Sequence, residues 1–123
     1  MKKDIENRKD IETLVNQFYE KVKTDKTIGH FFLDVVHVNW EKHLPVMYDF
    51  WDNILFYSGH YSGNPMQQHL AVHLKHAFKV NDFTQWNKLF NDTVDELFEG
   101  ENADTIKQRA QSISTVMQIK MFK

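Results

Sequence analysis

The chain has 123 residues, 41% of them hydrophobic, with ten Phe and three Trp, which is material for one aromatic-rich core in a single domain spanning 1–123. Fifteen Lys and Arg against seventeen Asp and Glu leave a net charge of −2, so the basic footprint of a nucleic-acid binder is missing. With no cysteine there are no disulfides, thiolate nucleophiles or thiolate metal ligands, and any metal must be held by His, Asp, Glu, Met or Tyr.

The opening MKKDIENRKDIE carries positive charge with no apolar stretch behind it, and no run of about 18 apolar residues occurs, which predicts a soluble cytoplasmic protein without membrane insertion. In DIETLVNQFYEKVK the residues Ile11, Leu14, Val15, Phe18, Tyr19 and Val22 form the stripe of an amphipathic helix over about 8–24. Acids near its start and lysines near its end suit the helix dipole. DKTIGHFFLDVV follows, with Gly29 predicting a turn and Phe31 and Phe32 pointing inward from one or two helical turns.

A second stripe runs through His43, Val46, Met47, Phe50, Trp51, Ile54 and Leu55. Pro45 removes a backbone donor and clashes inside a helix, which predicts a start near 42–44 or a kink there. YSGHYSGN reads as loop, after which Asn64 caps a helix whose first position is Pro65. Phe83, Trp86, Leu89, Phe90, Val94, Leu97 and Phe98 make a further stripe between a cap at Asn81 and Gly100. Ile106, Ala110, Ile113, Met117 and Met121 make the last. Strand-type alternation never persists, so the chain is predicted to be all-α, five or six helices around one core.

His69, His73 and His76 ride on the helix after Pro65 at roughly 0°, 40° and −20° around its axis, hence on one face. The i, i+4 pair in HLAVH lacks the glutamate that a zinc protease needs after its first histidine, and no Glu-x-x-His pair supports a di-iron site. Phosphate loops and nucleophile elbows are absent as well. What remains on the residues is one imidazole holding a large, flat, apolar group such as haem, beside plainer readings in which these histidines are solvated and the aromatic stripes are ordinary core.

Several fragments, in order, resemble the truncated globins, most nearly their third group. They are FYEKV at 18–22, GHFF at 29–32, FW at 50–51, YSGNPMQQH at 61–69 and DFTQWNKLF at 82–90, a likeness running from about residue 8 to 121. It implies a truncated 2-on-2 helical sandwich enclosing haem b. It makes His69 the iron ligand, with His73 its rival one turn on, and His76 with Lys75 partners for a haem propionate. The resemblance assigns Tyr19 and Trp86 as distal hydrogen-bond donors and His43 as the distal residue of the second long helix. Phe32 would be the aromatic packed on the haem, and Met47 and Trp51 would pack the distal wall, with ordinary core explaining all three equally well.

From the residues alone Tyr19 is also readable as a core phenol reaching the surface, and Trp86 as a large core aromatic. Pro45 leaves the orientation of His43 open between pocket, solvent and iron. The implied function is the binding of O2 and other diatomic gases such as NO or CO, in oxygen, NO or peroxide chemistry rather than bulk oxygen transport, with a reductase as the implied protein partner. Two other classes fit the composition: a cofactor-free helical module docking a partner protein, and a histidine-rich site for a divalent ion.

Overall fold

In the structure, a computed structural model, residues 2–31, 39–59 and 77–122 are described. They form four α-helices: α1 Arg8–Thr24, α2 Trp40–Phe56, α3 Val80–Leu97 and α4 Glu101–Met121. No strand occurs among the described residues, as the sequence predicts. The predicted helix carrying the three histidines lies outside them, as does most of the segment after Phe31. No helix among the described residues is long and apolar enough to cross a membrane.

α1 has the predicted bounds because its signals agree. The Asn7 side chain accepts the Asp10 N–H at 3.1 Å, Asp10 sits in the first turn, and Lys21 and Lys23 sit in the last. Past the C-terminus the Asp25 carboxylate accepts the N–H groups of Thr27 and Ile28 at 3.0 Å each and, from across the molecule, the amide of Gln85 at 2.7 Å. Glycine suits this corner, since a Cβ at position 29 would press on the backbone 3.0 Å from the Val22 carbonyl oxygen and 3.1 Å from that of Lys23.

α2 departs from expectation. It begins at Trp40, and Pro45 lies inside it, where it cannot donate to the carbonyl of Glu41. Glu41 and Pro45 are both exposed, so water can take the released carbonyl and the helix tolerates the loss. α3 also starts two residues earlier than a cap at Asn81 would place it. The Asp82 carboxylate reaches back to accept the Lys79 N–H at 2.7 Å, and Asn81 is exposed within the first turn.

Packing joins α1 to α2 and α3 to α4, and α1–α3 and α2–α4 contacts close the two pairs on each other. The fully buried Phe90 holds the centre. Trp51 stacks on one side of it at 4.7 Å between ring centroids, Trp86 stacks at 5.7 Å, and Phe18 meets it edge-on at 5.3 Å. A smaller cluster of Phe83, Met117 and Met121 joins this core through Phe78 and Ile113.

Residues 2–7 form a strap across the α3–α4 corner. The Asp4 carboxylate accepts the N–H groups of Ile5 at 2.8 Å, Asn102 at 2.9 Å and Ala103 at 2.8 Å, capping α4 from the far end of the sequence. Asn102 returns a bond to the Ile5 carbonyl at 2.7 Å, and Glu99 N–H donates to Lys3 at 3.0 Å. Gly100, at φ 143°, makes the turn possible, because a Cβ there would come within 2.6 Å of Asp4 Cγ.

Candidate functional site

Phe18 and Tyr19 are adjacent on α1, and both are buried. Phe18 touches the rings on either side: Tyr19 at 5.1 Å and Trp86 of α3, edge-on, at 5.8 Å. One ring therefore sets the two predicted distal residues on a common wall. His43 of α2 joins this wall, half-buried, with its imidazole 5.5 Å from the Tyr19 ring at 76°. The imidazole packs against the Tyr19 ring, with Pro45 two residues further along the same helix. Met47, one turn further along α2, is half-buried against the core. Trp51 is core, stacked on Phe90.

Burial pushes the Tyr19 phenol well above its usual range, since the surrounding rings cannot solvate a phenolate. It stays protonated and keeps an O–H to donate at any physiological pH. The Trp86 indole is donor-only.

Sequence reasoning missed Trp40. Its ring lies 5.2 Å from Tyr19 and 5.6 Å from His43, and Lys23 Nζ lies 4.4 Å from its centroid. The spacing of Trp40 and His43, three residues on one helix face, was available as a signal, but a helix start at 42–44 leaves Trp40 outside the helix.

His69, His73, His76, Lys75 and Phe32 lie outside the described residues. Among the described residues no group of three His, Asp or Glu side chains is placed to hold a metal ion.

Two helix pairs enclosing an aromatic wall with a buried phenol are the architecture of a globin shortened to its central helices. No protein-family model matches the chain. It is 32% identical over 126 residues to the group 3 truncated hemoglobin ctb of Campylobacter jejuni, covering 100% of this chain and 97% of that one. It is likewise similar to the crystal structure of the group III truncated hemoglobin from Campylobacter jejuni, with a TM-score of 0.87, 32% identity and coverage of 100% and 97%. The chain belongs to the group 3 truncated hemoglobins.

That membership implies a haem cofactor, and the described wall fits one. Its surface is aromatic, which suits a flat apolar macrocycle, and its Tyr19 donor is held neutral by burial.

Proposed function

We propose that this chain is a cytoplasmic haem b protein that binds O2, and other diatomic gases such as NO and CO. His69 is the iron ligand in this reading, with His73 the alternative. Haem, when bound, supplies an iron with a coordination position open to a gas. The Tyr19 hydroxyl and the Trp86 indole N–H would donate to a bound gas, and His43 stands beside Tyr19. Phe32 and Met47 would be the residues packing on the macrocycle, and Lys75 with His76 those pairing with its carboxylates.

The observation that carries this reading is the buried Tyr19 placed one ring away from Trp86. Donors to a charged acceptor contribute about 1.5–3 kcal/mol each. Two of them make release slow, which suits NO or peroxide chemistry, supported by a reductase, better than bulk transport.

An absorption spectrum of the purified protein, with and without dithionite and carbon monoxide, tests it. An intense Soret band that shifts with carbon monoxide and disappears in His69→Ala is the expected result. Loss in His73→Ala with retention in His69→Ala moves the ligand by one turn. Colourless protein after haem supplementation ends the haem reading.

A further inference from the structure

The rings of Tyr19, His43 and Trp40 form a closed triangle, with centroids 5.2, 5.5 and 5.6 Å apart and interplanar angles of 61°, 76° and 80°. Every side of it is an edge-to-face contact, the arrangement that aromatic quadrupoles favour. Trp40 is also gripped from outside. Lys23 follows Tyr19 by one turn of α1, so the same helix presents a buried phenol to one part of the indole and an ammonium to its face at 4.4 Å.

The His43 backbone is tied to the start of α2, since its N–H donates to the Asn39 carbonyl at 2.8 Å. Asn39 adds no side-chain capping bond, and Pro45 deletes the bond to Glu41 two residues beyond His43. The backbone thus sets where His43 starts, and the ring contacts set where its imidazole lies.

We propose that Trp40, clamped by Lys23, is the positioning residue that fixes His43 and Tyr19 relative to each other and so sets how long a bound gas is retained. This deepens the haem reading above and rests on it. Trp40 acts through its two neighbours, and the test must separate that role from simple loss of packing.

The experiment compares Trp40→Leu, Trp40→Phe and Lys23→Met in the haem-loaded, carbon-monoxide-bound protein. In Trp40→Leu the infrared C–O stretch is expected to split or broaden as the distal groups take more than one arrangement. O2 dissociation should accelerate about two- to tenfold, the size of one aromatic pair, with the Soret band retained. Trp40→Phe, which keeps a ring edge, should restore the single band and most of the rate, and Lys23→Met should shift both readouts in the same direction by less.

A wild-type band and rate in Trp40→Leu, or equal effects of Leu and Phe, overturns the proposal. If Trp40→Leu does not fold, unchanged readouts in Lys23→Met overturn it instead. Should the wild-type protein carry no haem, the haem reading fails separately. The positioning claim is then read from the His43 imidazole proton shifts in the NMR spectrum, assigned with His43→Gln, which Trp40→Leu must relax toward ordinary values.

Discussion

The two ends of α1 are held by different kinds of contact. At the N-terminal end Asp10 accepts the Glu6 N–H at 2.9 Å and pairs with Lys3 at 2.6 Å, while Asp4 beside it accepts three backbone N–H groups. Towards the C-terminal end Tyr19 meets the edges of Phe18, Trp40 and His43, and Lys23 covers the indole. Carboxylates saturated with donors admit one arrangement, because each bond has a narrow optimum. A single ring edge has a broad minimum, so position there is fixed only when several contacts close on one another, as the Tyr19, Trp40 and His43 rings do. The strap is therefore held by a few directional bonds, and the aromatic wall by the combination of softer ones.

Gly100→Ala attacks the rigid end hardest. The positive φ and the 2.6 Å approach to Asp4 Cγ together should cost about 3 kcal/mol, seen as a lowered urea midpoint with an unchanged slope. A loss under about 0.5 kcal/mol would mean that the strap yields easily, and the contrast would fail.

Tyr19→Phe probes the other end. It should leave stability nearly intact and accelerate O2 dissociation roughly ten- to a hundredfold, the loss of one donor to a charged ligand, measured by stopped-flow displacement. An unchanged rate would remove Tyr19 from the ligand's contacts.

Asp4→Ala should cost about 1–2 kcal/mol as a lost helix cap. It should also flatten the acid limb of the stability profile. Desolvation raises the Asp4 pKa, but the N–H groups of Asn102, Ala103 and Ile5 outweigh it and hold the carboxyl below the ordinary 3.8. Asp10 is lowered in the same way: desolvation opposes, and Lys3 with backbone donors prevails. Groups lowered on folding contribute stability that is fully present above the unfolded pKa and is lost as pH falls through the folded one. Wild-type stability should thus hold above about pH 4 and erode below it, and less steeply in Asp4→Ala.

The smallest effect concerns Asn87, whose buried side-chain oxygen has no hydrogen-bond partner among the described residues. Asn87→Leu should leave stability unchanged or raise it by up to ~1 kcal/mol, because an unsatisfied acceptor is exchanged for apolar surface. A clear loss in the same denaturation experiment would show that this oxygen has a partner in solution.

Local signals were legible and remote ones were not. The bounds of α1 follow from Asn7, the stripe and the end charges, all within one stretch of sequence. At α2 the proline rule weighs the lost bond but not the exposure of Glu41, and a start at 42–44 lies two to four residues late, hiding Trp40. The Asp4 cap on α4 spans 98 residues to Asn102, a pairing that periodicity cannot reveal. Tyr19, His43 and Trp86 could be picked out on three separate stripes. That Phe18 would set Tyr19 and Trp86 on one wall is a matter of tertiary packing, visible only in the structure.

Asp25 is bound to the corner after α1 through Thr27 and Ile28, and to α3 through Gln85, the residue just before Trp86. A single side chain thus ties the start of the connecting segment to the turn that bears the indole. Displacing that corner would strain the bond to Gln85, so the place where the chain leaves α1 and the place where it carries the indole are registered to each other by one carboxylate.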